Sequence, residues 1–75
     1  MDLTNFKFEV LEALTTEPIS TVNLTKTLNP DVDQFVFERE KARVLVALQW
    51  LCKWGYAERA DKTREGAFWR KLRSA

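Results

Sequence analysis

The side chains that could perform chemistry are few, and their types and spacing do not suit catalysis. The chain has no histidine, so an imidazole base, a histidine metal ligand and a histidine-based triad are all excluded. Its single cysteine, Cys52, therefore has no histidine to activate it, and an inert buried thiol is the simpler interpretation. Gly55 and Gly66 are the only glycines, too few for a phosphate-binding glycine-rich loop. We expect no enzyme activity, no catalytic residue, no metal site and no cofactor.

The basic side chains suit a different chemistry, the binding of an anionic partner. Residues 1–38 carry two basic and seven acidic side chains, a net charge of −5, whereas residues 39–75 carry ten basic and four acidic ones, a net charge of +6. An asymmetry of this kind suggests an anionic partner for the basic half. Attraction between the two halves and simple solvation of both are the alternatives.

Length and composition indicate a single small domain over residues 1–75. A chain of this size buries a small core, so each large apolar side chain matters. No stretch approaches the ~20 apolar residues of a membrane span, and MDLTNFKFEV lacks the pattern of a secretory signal. One cysteine cannot form an internal disulfide bond. We expect a cytoplasmic protein without membrane contact.

Hydrophobic spacing predicts two short helices in the first half of the chain. Apolar residues at helical spacing indicate a helix over about 4–16, which Glu17-Pro18 ends because the residue before a proline disfavours helical conformation. Ile19 follows alone and could form a very short strand. Ser20 or Thr21 is expected to cap a second helix over about 21–28.

A long third helix over about 36–54 and a hairpin over about 56–72 complete the predicted elements. One side of this helix is a core-facing stripe, and the opposite side is basic in its first half and aromatic in its second. The stripe consists of Phe37, Lys41, Val44, Leu45, Leu48, Leu51 and Cys52. Gly55 is expected to stop it. Two short runs then flank a polar segment that carries Lys62 and Arg64. This pattern indicates a β-hairpin with these two basic residues at its tip. The expected fold class is α+β, mostly α.

The order helix, short strand, helix, helix, strand, strand resembles the winged helix-turn-helix superfamily. The stretches PISTVNLTKTL (18–28) and VALQWLCKWGYAER (46–59) carry the resemblance, which covers about residues 4–72. It implies a three-helix domain with a C-terminal two-stranded hairpin as the wing. The turn between the second and third helices is short in typical members, whereas NPDVDQFVFER intervenes here. Either this turn is longer, or the third helix starts early with Asp33 as its cap.

The resemblance implies a small DNA-binding protein, a transcriptional regulator that contacts duplex DNA with its third helix and wing. Arginine matches guanine edges and phosphate oxygens, an amide can read a base edge, and lysine suits phosphate contact. The expected DNA-binding residues are Gln34, Arg39, Arg43, Lys62, Arg64, Lys71 and Arg73. A homodimer is expected to be the DNA-bound form.

A protein–protein interaction module on the same fold is the alternative, since a fold does not determine a function. It would use the acidic first half or the tryptophans Trp50 and Trp54, since tryptophan is enriched at protein interfaces. Phe8 is a further interface residue, because Phe6 and Phe8 lie on different sides of the first helix and cannot both face one core. We also expect the hairpin to fold over the third helix and bury at least one of Trp50, Trp54 and Trp69. Binding of a single-stranded nucleic acid, which would need exposed rings, is a third hypothesis.

Overall fold

Three helices and a three-stranded antiparallel sheet make up the described part of the chain. The computed structural model describes residues 5–63 and 66–73, with the side chains of 61–63 left aside. The elements are α1 (Asn5–Ala13), β1 (Ile19–Ser20), α2 (Thr21–Leu28), α3 (Gln34–Lys53), β2 (Ala57–Thr63) and β3 (Gly66–Lys71). The predicted α+β class is confirmed, and this order is compatible with a winged-helix fold.

Side-chain caps define where α2 and α3 begin. The backbone N–H of Asn23 donates to Ser20 Oγ at 3.0 Å, which confirms the predicted start of α2. The N–H of Val36 donates to Asp33 Oδ1 at 2.9 Å. The predicted start of the third helix at residue 36 is therefore wrong, and the alternative with Asp33 as the cap is confirmed.

The first helix is shorter at its C-terminal end than the expected limit at residue 16. It ends at Ala13, and the N–H of Leu14 donates to both Val10 O and Leu11 O in a tightened last turn. Beyond it, Glu17 N–H donates to Thr15 Oγ1 at 3.2 Å. Threonine hydroxyls compete with helix formation through such local bonds, and this turn ends α1 ahead of Pro18. Its expected start at residue 4 lies outside the described residues.

Gly55 turns the chain from α3 into the hairpin. Its φ of +80° lies in the left-handed region that glycine adopts without strain. The N–H of Tyr56 donates to Leu51 O at 2.9 Å and that of Gly55 to Cys52 O at 3.2 Å. These two bonds form the Schellman motif, which satisfies the last carbonyls of the helix. The predicted role of Gly55 as the helix stop is confirmed.

The sheet places β3 between β1 and β2, with both pairings antiparallel. Ile19 lies opposite Trp69 in the β1–β3 pair, and Arg59 lies opposite Trp69 in the β2–β3 pair. The register shifts between Arg59 and Asp61, so β2 carries an extra residue, a β-bulge, at Ala60. The short strand predicted near Ile19 is confirmed, and it ties the start of α2 to the sheet.

The hydrophobic core lies between the three helices and the inner face of the sheet. Its buried residues are Val10, Leu11, Leu14, Leu24, Val44, Ala47, Leu48, Leu51, Ala57 and Trp69. On α3 the predicted stripe is confirmed at Val44, Leu48 and Leu51, and Ala47, which the stripe did not include, is also buried. Leu45 and Cys52, at the other edge of the stripe, are half-buried against the hairpin side.

Candidate nucleic-acid interface

Trp69 and Thr21 fasten the hairpin to the start of α2. The indole Nε1 of Trp69 donates to Thr21 Oγ1 at 2.7 Å, and this hydroxyl donates to Ala67 O at 3.4 Å. Trp69 is only 4% exposed, which confirms the prediction that the hairpin buries at least one tryptophan. The hydrogen bond satisfies an indole N–H that would be costly to bury without a partner. The position of the hairpin relative to α2 and α3 is thereby fixed.

A shallow depression lies where the start of α2, the middle of α3 and the start of β3 meet. It is lined by Thr21, Val22, Lys41, Leu45, Gly66 and Ala67. A second depression shares Val22 and Lys41 with the first and runs on between α2 and α3 to Lys26 and Gln34. We call these two neighbouring depressions together the α2–α3 groove. It brings two lysines and the amide of Gln34 to one side of α3.

The solvent-facing side of α3 rises beside this groove as a ridge. With 20 residues the helix is about 30 Å long. The exposed side chains of this outer ridge are Phe35, Glu38, Arg39, Ala42, Val46 and Gln49. Lys53, at the end of the helix, is also exposed, but its ammonium group lies over the Trp54 ring. Polar, basic and apolar groups therefore alternate along it, and its aromatic end is at Phe35, which is 81% exposed.

The seven expected DNA-binding residues fall into separate regions. Gln34 and Arg39 are exposed on the groove side and the outer ridge of α3. Arg43 instead reaches toward α1, where its guanidinium carbon lies 3.9 Å from the centre of the Phe6 ring. Its Nη1 also lies 3.5 Å from Glu40 Oε2. Arg39 and Arg43 are one turn apart, yet only Arg43 contacts α1, through its position over the Phe6 ring. Arg39 is exposed to solvent.

The remaining expected residues lie toward the hairpin and the end of the chain. Lys71 pairs with Ala57 at the base of the hairpin, and its N–H donates to Thr15 O at 2.7 Å. Arg73 is folded over Tyr56 and donates from Nη2 to Trp54 O at 3.0 Å. Neither lies beside Gln34 and Arg39. The side chain of Lys62 and the whole of Arg64 lie outside the described residues.

A second surface, formed by aromatic rings and basic side chains, lies on the α1 side of α3. The ring centres of Trp50 and Trp54 are 6.0 Å apart, and Trp50 stacks on Tyr56 at 6.3 Å with a 7° angle between the planes. Each ring has a cation over it: Lys7 at 4.5 Å from Trp50, Lys53 at 5.8 Å from Trp54 and Arg73 at 4.3 Å from Tyr56. We call these residues, with Arg43 on Phe6, the basic–aromatic face.

Sequence reasoning found part of this face and missed the rest. The helical spacing of Trp50 and Trp54 with Arg43 placed them on one side of α3, but Phe6, Lys7 and Tyr56 were not assigned to it. Contacts between separate elements bring Phe6, Lys7 and Tyr56 to this face. The one sequence signal for it was the adjacent aromatic and basic residues Phe6 and Lys7. On α1, Phe8 is 44% exposed and Phe6 packs on the core, so one phenylalanine is exposed as predicted.

Cys52 is half-buried beside the hairpin. Burial raises the pKa of its thiol above the ordinary value of 9.0, since a thiolate is poorly solvated there. The charge of Arg59 opposes this pKa shift, and that of Glu58 adds to it. The thiol is consequently neutral and weakly nucleophilic at neutral pH. The inert thiol expected from the sequence stays a prediction, and the side chain is half-buried rather than buried.

Comparison with known proteins adds no relative to this picture. No protein-family model, curated protein or solved structure matches the chain. Within residues 5–63 and 66–73, no helix has the length and apolar character needed to cross a membrane. The functional interpretation therefore rests on the groove, the outer ridge and the basic–aromatic face.

Proposed function

We propose that this protein binds duplex DNA with the outer ridge of α3, as a small regulator that occupies a site on the double helix. The observation that carries the proposal is the meeting of the start of α2, the middle of α3 and the start of β3 around one depression. This arrangement leaves the outer side of α3 free to protrude, with the hairpin beside it. An α-helix with its side chains is about 10–12 Å across, which fits a major groove about 12 Å wide.

The charged and polar groups near the ridge suit both kinds of contact that duplex DNA offers. Arg39 is exposed on the ridge, and its planar fork matches the acceptors at a guanine edge. Lys26 and Lys41 line the α2–α3 groove, where ammonium groups suit phosphate oxygens, and Lys41 is held there by an ion pair with Glu38 at 3.1 Å. The amide of Gln34, in the first turn of α3, suits an adenine edge or a phosphate.

Apolar side chains on the ridge fit the same interpretation. Ala42 and Val46 are exposed between Arg39 and the end of the helix. Small apolar side chains contact the methyl group of thymine in the major groove. The combination of Arg39 with these two residues therefore favours base contact by the middle of α3.

Fluorescence anisotropy with a labelled duplex of mixed sequence tests the proposal. We expect binding at low salt with a log–log salt slope of roughly −4 to −5, as for neutralisation of about five phosphates. Arg39→Ala should weaken binding about 5- to 100-fold, the range for one base-contacting arginine. Arg70→Ala is the charge-matched control, because Arg70 pairs with Glu58 across the hairpin and lies off the ridge. Absence of duplex binding at low salt, or equal losses in the two variants, would reject the proposal.

Association with a second copy of the chain is the competing candidate, and the exposure of Phe35 and Val46 favours it. They are 81% and 64% exposed on the same ridge, and exposed apolar groups often mark protein interfaces. Sedimentation velocity over a range of concentrations tests this candidate. The candidate would be supported if the protein sediments as a dimer, if Phe35→Ser and Val46→Ser abolish that dimer, and if the protein does not bind duplex DNA. A monomer at all concentrations would eliminate it.

A further inference from the structure

We propose that the basic–aromatic face binds single-stranded nucleic acid, as a second surface apart from the outer ridge. This proposal does not depend on duplex binding, since it rests on other residues. The face combines two features that a single strand requires, positive charge along a path and planar groups on which bases can stack.

The charge of this face is strongly positive. Each of Lys7, Arg43, Lys53 and Arg73 lies over an aromatic ring, so these cations are held at the surface. One of them, Arg43, pairs with Glu40, whose side chain is 19% exposed. A chain of phosphates complements four cations arranged in this way.

Two planar platforms on the face remain accessible to bases. Trp54 is 40% exposed, and Lys53 at 5.8 Å is the most distant of the four cations from its ring. The guanidinium carbon of Arg43 lies 3.9 Å from the centre of the Phe6 ring, and the Arg43 side chain is 58% exposed, so this planar group remains open to solvent. Bases stack on tryptophan rings and on arginine guanidinium planes.

The spacing of these platforms fits a strand that runs along α3. Arg43 and Trp54 are 11 residues apart, which places them about 16 Å apart and within about 20° of the same side of the helix. Trp50 lies between them, one turn before Trp54, and stacks on Tyr56. At 3.4 Å per stacked nucleotide, the distance corresponds to roughly five nucleotides.

A single strand fits these groups better than a duplex or an acidic peptide does. A duplex hides the faces of its bases within the stack, so it cannot use Trp54 or the guanidinium plane of Arg43. An acidic peptide would use the cations alone and leave the platforms without a stacking partner. DNA and RNA strands share the required chemistry, and the test below distinguishes them.

The test measures anisotropy of labelled oligothymidine and oligouridine on the full chain at low salt, together with quenching of the tryptophan fluorescence. We expect binding of the single strand with quenching, and a loss of roughly 5- to 100-fold for Trp54→Ala, the range for one stacked base. Phe8→Ala is the matched control, because it removes an exposed ring from the outer side of α1. Arg39→Ala, which alters the ridge, should leave single-strand binding unchanged.

Three outcomes would overturn the proposal. One is the absence of oligonucleotide binding at low salt by a protein whose far-ultraviolet circular dichroism shows a folded chain. Another is binding that Trp54→Ala and Phe8→Ala reduce equally. The third is equal or tighter binding of polyglutamate, which would assign the face to acidic peptides. Arg43→Met, which removes the charged planar group but keeps an unbranched side chain on α3, repeats the test if Trp54→Ala does not fold. Loss of duplex binding alone would reject the proposed function and leave this proposal standing.

Discussion

The two groups of tryptophans illustrate opposite uses of the same side chain. Trp69 is 4% exposed, lies in the core and donates its indole N–H to Thr21. Trp54 is 40% exposed and lies beside Trp50, with cations over both rings. The first ring has a polar partner inside the protein, whereas the second has a charged partner at the surface. The comparison indicates that Trp69 holds the fold together and that Trp54 is available to a ligand.

The largest contrast is expected between Trp69→Ala and Trp54→Ala. Removal of the buried ring leaves a cavity, so Trp69→Ala should lower the free energy of unfolding by about 3–5 kcal/mol. Trp54→Ala should lower it by about 1 kcal/mol or less, since it mainly removes one exposed aromatic pair. Urea denaturation followed by far-ultraviolet circular dichroism measures both. Equal losses of stability would refute the division between the two groups.

The next contrast concerns the hydroxyl groups of α2. Thr21→Val removes the acceptor of the Trp69 indole and should cost about 1–3 kcal/mol, the penalty for leaving a buried donor unpaired. Thr27→Val is the control, because Thr27 is exposed and donates only to Asn23 O within its own helix. We expect its effect within about 0.5 kcal/mol. Thermal unfolding of both variants decides whether the indole bond anchors the hairpin.

A smaller effect is expected from the cations of the basic–aromatic face. Arg73→Ala removes the guanidinium from Tyr56 and the donor to Trp54 O, and should cost about 0.5–1 kcal/mol. Arg39→Ala, on the outer ridge, should change stability by less than about 0.5 kcal/mol. Urea denaturation of the pair tests this. A larger loss for Arg39→Ala would mean that the ring contacts of this face do not stabilise the fold.

The smallest effect is a dependence of stability on alkaline pH through Cys52. Because burial raises the pKa of this thiol in the folded chain, the unfolded chain releases the proton first, near pH 9.0. The stabilising contribution is therefore full below pH 9.0 and is lost as pH rises through the higher folded pKa. Denaturation of the wild type and of Cys52→Ala over this pH range should show the difference. Identical pH profiles would mean that the thiol is not desolvated by the hairpin.

Local sequence signals predicted the elements well, and contacts between elements account for the misses. Ser20, Asp33 and Gly55 act through their own backbone neighbours, so their roles as caps and stop could be read from the sequence. The start of α3 was placed late because Gln34 and Phe35 interrupt the apolar stripe, although the cap precedes them. Periodicity also could not show that α1 lies against Arg43, since a helical projection carries no information about neighbouring helices.

The positions of the expected DNA-binding residues could be predicted only in part, because a helical projection carries no information about neighbouring elements. Arg39 lies on the exposed side of α3, where the projection of the helix put it, whereas Gln34 lay outside the helix predicted from residue 36. Arg73 was grouped with the wing because of its position after the hairpin, but the chain beyond β3 returns to Trp54 and Tyr56. Its assignment to DNA stays a prediction, as do those of Lys62 and Arg64.

The bulge at Ala60 also bears on strand addition at the edge of the sheet. β2 is an outer strand of the sheet, and its second edge has no partner strand among the described residues. A long, regular edge of this kind is a template on which another chain can add a strand and begin aggregation. The bulge interrupts the regular spacing of hydrogen-bonding groups halfway along β2, next to the charged side chains Glu58 and Arg59. Deletion of Ala60 should therefore reduce the solubility of the protein more than it reduces the free energy of unfolding.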